Sequence, residues 1–296
     1  METSNFIIAT SSTCDLPRTW LDEHNVPFIS YSFTINDEPA VDDCREESRA
    51  AIYAGMRNGD ILKTSQINKI AYEKFFRKLM QTGKDILFLD MSEKMSVSFS
   101  NCMIAADTIR SEFPDQDLYI MDTRCISGGL GFLVKHCIAL MEDGKTMEEV
   151  ISWAEDNKLK IAHRFTVDDL NYLKRGGRVS NTSALVGTML NIKPVLYVPD
   201  EGTLDVVKKC IGRKKALNAI RDSIIHDLSL VETAGRDMII LNADCRSDAE
   251  FIRGEVLAAF PDMGEISISS LGVVIGAHCG PGLLTCFYLC NERLAG

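Results

Sequence analysis

The first half of the chain alternates short apolar runs with amphipathic stretches, the pattern of an α/β unit whose strands lie largely parallel in a covered sheet. Apolar runs at Phe6 to Ala9, Asp85 to Leu89 and Leu118 to Met121 read as strands. Between and after them, periodic stretches at Arg45 to Arg57, Ala71 to Gln81, Ser98 to Glu112 and Gly131 to Glu142 read as helices. After Gly144 the texture changes. A helix at Met147 to Asn157 leads to a strand at Lys160 to Val167 and then to a short basic helix broken by Gly176 and Gly177, with Ser180 or Asn181 able to cap the next. A hairpin follows, with strands at Pro194 to Val198 and Leu204 to Lys208 joined by a turn at Pro199 to Gly202. Helices at Arg213 to Leu228 and Asp248 to Ala259, with strands at Asp237 to Ala243 and near Glu265 to Ser269, complete the pattern. The expected architecture is α/β in two closely packed domains: a parallel-sheet unit over residues 1–160 and a smaller mixed α/β unit over 161–296. A cleft between them is the default place for a ligand.

The loops that leave the predicted strands are rich in small hydroxyl residues: Ala9 to Asp15 (ATSSTCD), Lys63 to Gln66 (KTSQ) and Met91 to Ser98 (MSEKMSVS). Such loops serve either as helix N-caps or as donors to an anionic oxygen at the carboxyl end of a sheet. Three of them at successive strand ends point to a shared polar site.

Composition narrows the classes. With 296 residues, 46% hydrophobic and 25% charged, the chain is long enough for two cores, and no apolar run approaches the ~20 residues of a membrane-spanning helix. The opening METSNFIIATSS lacks the basic and apolar regions of a secretory signal, so a cytoplasmic protein is expected. A formal charge of −10 opposes polyanion binding. The two basic clusters, Lys174 to Arg178 and Gly212 to Lys215, carry no interleaved aromatics, so nucleic acid is not an expected partner. Ten cysteines are scattered without a CxxC pair, which reads as buried reduced thiols, with no metal site expected.

Phosphate-loop, dinucleotide, zinc-protease and nucleophile-elbow signatures are all missing from the sequence: Ser127 to Phe132 (SGGLGF) is not GxGxxG. Of the five histidines, His24, His136, His163 and His226 sit in amphipathic contexts that solvation or packing explains. His278 differs, because Gly276, Gly280, Pro281 and Gly282 around it permit close backbone approach and a sharp turn; it reads as structural or functional.

Taken in order along the chain, SSTCDLP, KTSQ, MSEKMSVS, MDTRCISGGLG, FTVDDLNYLKRGGRVS, LNIKPVLYV, GRKKAL and IGAHCGPG resemble the DegV family of bacterial lipid-binding proteins, which includes the fatty-acid-binding subunits of fatty acid kinase. The segment from Phe165 to Leu217 carries the most specific part of that resemblance. The resemblance implies a two-domain α/β fold holding one long-chain fatty acid in a tunnel, with no other cofactor. It also implies a separate ATP-dependent kinase as partner, which converts the carboxylate to an acyl phosphate, the binding protein itself not being the catalyst. Carried over by position, Thr64, Ser96 and His278 would hold the carboxylate, and Arg178 and Arg213 would lie at the phosphoryl-transfer or kinase-docking end. No transmembrane segment is implied, and contact with a membrane surface would be transient.

The chain departs from the family pattern in two places: Ser11 stands where an aspartate is usual before Ser-Thr, and Lys94 and Val97 stand where glycines are usual around the second serine of MSEKMSVS, Ser96. An alternative reading makes the protein an acyl hydrolase or transferase, with Ser96 or Ser12 as nucleophile and His278 as base. A carrier of some other amphiphile is the remaining one.

Overall fold

The computed structural model describes residues 5–178 and 191–293; the helix cap expected at Ser180 or Asn181 lies outside them. Four short strands, β1 (Phe6–Ser11), β2 (Phe28–Ile29), β6 (Asp85–Asp90) and β7 (Leu118–Asp122), form a parallel sheet in the order β2-β1-β6-β7. The near-continuous apolar character of β6, buried at all but its first residue, is what a central parallel strand covered on both faces requires.

Helices α3 (Lys69–Met80) and α4 (Ser98–Glu112) pack together beside this sheet, α3 starting two residues before the expected Ala71 because the Asn68 side chain accepts the Ala71 N–H at 2.9 Å and caps the helix. Two helices, α1 (Arg18–Glu23) and α2 (Glu46–Arg57), and a small antiparallel sheet precede them. That sheet has the order β4-β3-β5, from β3 (Ser32–Ile35), β4 (Glu38–Val41) and β5 (Leu62–Thr64). KTSQ therefore does not leave a strand of the parallel sheet: Thr64 pairs with Phe33 at the edge of the small sheet, whose hairpin the polar letters Asn36 and Asp37 turn through positive φ.

Helix α5 (Gly128–Glu142) begins three residues before the expected Gly131 and is apolar nearly all round, since it lies between the parallel sheet and a second, six-stranded one. Beyond α6 (Met147–Asn157) that second sheet runs β10-β9-β8-β13-β11-β12, from β8 (Ile161–Thr166), β9 (Ile192–Tyr197), β10 (Asp205–Ile211), β11 (Met238–Asn242), β12 (Ile266–Ser270) and β13 (Leu284–Leu289). Only β11 and β12 pair parallel within it, so the sheet is mixed. Strand β13, central in the sheet, was not expected from the sequence, nor was the helix α10 (Val273–Cys279) before it; α7 (Leu170–Arg175), α8 (Arg213–Ser229) and α9 (Arg246–Ala259) complete the set.

Alternation along this sheet separates two cores. Ala162, Cys286, Tyr288, Met238 and Ile240 face α8 and α9. Phe165, Phe287, Ile239 and Leu241 face α5 and join the core of the first sheet. The second face is thus continuous with the chain's first half, and a cavity opens along it.

Candidate functional site

Buried apolar side chains from four directions make the cavity wall: Phe165 and Phe287 from the six-stranded sheet, Leu173 from α7, Val274 from α10, and Ile126 just before α5. Its volume is about 460 Å³, within the range of small-molecule sites. The lining is not uniform in exposure. Ile61 and Val97 are 52% and 67% exposed, and Lys63, Ser65, Gln66 and Arg175 are exposed with them, so these residues mark the mouth. Thr64, Ser96, Arg178 and His278 are half-buried, between that mouth and the apolar interior.

Three of the five residues singled out from the sequence for binding and docking converge there with a fourth beside them. Thr64, last residue of β5, places Oγ1 2.9 Å from Nε2 of His278, in the last turn of α10. His278 is therefore helical, and the sharp turn read around it belongs to Gly280 and Gly282, both at positive φ, which send the chain into β13. Burial, and next the positive charge of Arg178, push the His278 imidazole down to about 4, so it is neutral near pH 7 with one N–H to donate. The other side of the ring is tight: a Cβ on Gly176 would lie 2.3 Å from Nδ1, so glycine there lets α7 close on the imidazole.

The Ser96 hydroxyl donates to Ser98 Oγ at 2.9 Å and accepts from the Ser98 N–H at 3.1 Å and the Tyr31 hydroxyl at 3.5 Å. Tyr31, which lines the cavity, was missed by the sequence reading; nothing local to it signals a partner 65 residues away. Arg178 donates through Nε and Nη2 to the Met95 carbonyl, each at 3.3 Å, and through Nη1 to the Gly176 carbonyl. It thereby fastens the serine loop beside His278.

The structure separates Arg213 from this group. As first residue of α8 it is outside the cavity lining, with Nη2 2.8 Å from Asp248 Oδ2 and Nη1 3.4 Å from Asp168 Oδ1. Lys94 is likewise outside the cavity lining and pairs with Glu93 at 2.7 Å. At the other departure, Ser11 Oγ donates to Oδ1 of Asp90 at 2.7 Å, so a carboxylate from β6 meets the position where the family pattern has its own. Burial raises the Asp90 carboxyl to about 6, against hydrogen bonds from Ser11, the Met91 N–H and Tyr72.

The geometry does not assemble a hydrolytic pair. Ser12 is fully buried with Oγ accepting the Tyr31 N–H at 3.1 Å, and His278 is committed to Thr64 instead of either serine. Among the described residues, no group of three His, Cys, Asp or Glu side chains is placed to hold a metal ion, and no helix is long and apolar enough to cross a membrane. All ten cysteines are free; nine are buried and Cys245 is half-buried. What the site offers is an apolar pocket with neutral donors at its half-buried rim, complementary to an acid with a long hydrocarbon tail, and two guanidiniums, Arg175 and Arg178, toward its mouth.

Comparison with known proteins agrees with that chemistry. The model of the family described as "Uncharacterised protein, DegV family" matches residues 5–291. A DegV domain-containing protein of Clostridium perfringens is 35% identical over 97% of this chain and 98% of its own length. Among solved structures, a DegV family protein from Thermus thermophilus described for its fatty acid binding superposes at TM-score 0.86 with 27% identity, covering 97% of this chain and 99% of that one. A DegV lipid-binding protein from Thermotoga maritima gives 0.82 and 25%, covering 98% and 100%. On sequence and fold together, the chain belongs to the DegV family.

Proposed function

We propose that this protein binds one long-chain fatty acid, chain inward, and presents its carboxylate at the mouth to a separate ATP-dependent kinase that forms the acyl phosphate. The observation that carries the reading is the junction of an apolar cavity with the Thr64–His278 pair at its half-buried rim. The fatty acid binding described for the Thermus thermophilus relative and the lipid binding described for the Thermotoga maritima one, both similar over nearly the whole chain, support the ligand class.

Each part of the site has a physical role in this reading. Methylene burial at about 0.8 kcal/mol each provides roughly 12 kcal/mol gross for a sixteen-carbon chain, so the interior supplies retention. The carboxylate needs replacements for the water it loses. A neutral His278 donating from Nε2 to Thr64 Oγ1 leaves the threonine hydrogen free to point at the ligand, and Ser96 joins by turning its hydroxyl away from Ser98. These uncharged donors hold an oxygen without the bidentate grip of an arginine, so it stays available to attack a phosphoryl group. Arg178 at the mouth, and Arg213 at the start of α8, belong to the face that meets the kinase and the transferred phosphate. Residues 1–160 and 161–296 are read as the two domains on either side of the ligand.

Titrating delipidated protein with palmitate and with hexadecanol tests the binding half: palmitate is expected to bind more tightly, with the preference lost in Thr64→Val. Equal affinities in the native protein would remove the carboxylate site. For the second half, Arg178→Ala is expected to keep most of the palmitate affinity, since Ser98 and Tyr31 still hold Ser96, and to lower acyl-phosphate yield with kinase and ATP. Loss of both together would contradict the division of roles.

A further inference from the structure

Helix α2 makes an unusual set of contacts with a stretch of backbone more than 200 residues away. The Tyr53 hydroxyl reaches the carbonyls of Leu271 and Gly272 at 3.1 and 3.2 Å. Arg49 Nη1 donates to the Ser270 carbonyl at 2.9 Å, while Nη1 and Nη2 also hold the carbonyls of Asp15 at 3.0 Å and Leu16 at 3.3 Å. The Glu46 carboxylate accepts the Ser270 N–H at 3.2 and 3.0 Å. Arg57, one turn further, pairs with Asp244. Positions 46, 49, 53 and 57 share one helix face, as spacings of three and four residues require.

The gripped backbone, Ser270 to Gly272, is the link from β12 into α10, and Gly272 caps that helix. A Cβ on Gly276, one turn into α10, would lie 2.1 Å from the Tyr53 hydroxyl, so the two helices touch with nothing between them. Two residues beyond Gly276 sits His278. At its other end α2 leads through a tight turn directly into β5, whose last residue is Thr64. The same helix thus grips the start of the His278 helix and delivers the strand that carries its partner. A guanidinium that is 0% exposed and a tyrosine that is 1% exposed are costly to bury for packing alone.

We infer that Arg49 and Tyr53 are positioning residues for the carboxylate site: by fixing Ser270 to Gly272 they set α10 so that His278 meets Thr64 at the cavity mouth. The inference rests on the proposed function, because it concerns the polar end of the same ligand. It separates from a general structural role by what it affects. A loosened α10 start disturbs the headgroup donors, whereas most of the apolar wall comes from elements α2 does not touch.

The test compares palmitate with hexadecanol, which share a chain and differ at the head, on Tyr53→Phe and on Glu46→Ala, the latter removing a contact from the partly exposed side of the grip. Both variants are expected to lose roughly three- to tenfold in palmitate affinity while hexadecanol affinity stays at the native value. The His278 ring proton signal is expected to shift in both. Parallel loss of both ligands, or no change in either, would overturn the inference. A native protein that fails to prefer palmitate would overturn the functional reading first, a distinct outcome.

Discussion

Thr64 Oγ1 and His278 Nε2 lie 2.9 Å apart across 214 residues of sequence. If this pair presents one donor to a carboxylate, Thr64→Val and His278→Ala should each weaken palmitate binding by about tenfold or somewhat more, as expected for a hydrogen bond to a charged group. The double variant should lose less than the product of the two, since the residues act through each other. Full multiplicativity in titration calorimetry would show two independent contacts.

Gly176 supplies a steric test of the same place. Gly176→Ala puts a methyl 2.3 Å from where Nδ1 now sits, so His278 must move off Thr64 or α7 must back away. Palmitate affinity should fall and hexadecanol affinity should not.

Protonation gives another handle. The His278 imidazole is held down to about 4 by burial and then by Arg178, whereas in the unfolded chain it titrates near the ordinary ~6.5. Between those values the unfolded state binds the extra proton, so this residue's contribution to stability is complete above pH ~6.5 and is lost as pH falls toward 4. Proton NMR of the ring should show a midpoint near 4 without ligand, moving upward in Arg178→Gln and upward again when palmitate brings a negative charge beside it. A midpoint that ignores both changes would place neither charge near the ring.

Thr285 faces the cavity from β13, between Leu283 and Phe287, and its hydroxyl has no hydrogen-bond partner among the described residues. Replacing it by valine keeps the shape and removes a polar group from the path of a hydrocarbon chain. Thr285→Val should bind saturated acyl chains a few-fold more tightly, with about 1 kcal/mol as the scale. Unchanged or weaker stearate binding would place the chain away from β13.

Ser11 and Asp90 make a prediction about stability. Asp90 is raised to about 6 by burial, so its folded form favours the proton: the stability it contributes is present below its ordinary ~4 and lost as pH rises through 6. Ser11→Asp sets a second carboxylate against it and should lower the melting temperature by several degrees, more at pH 8 than at pH 5. Ser11→Asp combined with Asp90→Ser should recover much of that loss.

How far the sequence reveals all this depends on whether the signal is local. The apolar run of β6 and the period of α2 were legible because burial on both faces, or on one, writes itself into consecutive letters. Strand β13 was not: Leu284 to Leu289 is buried on both faces, so LTCFYL has no alternation, and its glycine-rich approach reads as a loop. The β3–β4 hairpin was missed although Asn36 and Asp37, both at positive φ, were a usable turn signal. Thr64 and His278 were named through the family resemblance, but their contact depends on tertiary structure. Arg49 shows the limit most clearly. On an amphipathic helix it reads as a solvated cation, and its carbonyl partner Ser270 is 221 residues away.

The most direct measurement is native intact-mass analysis of the protein as purified and after delipidation and exposure to palmitate. One fatty acid per chain is expected in each case, with palmitate uptake reduced in His278→Ala. A protein that carries no lipid, and takes up none, would contradict fatty-acid binding outright.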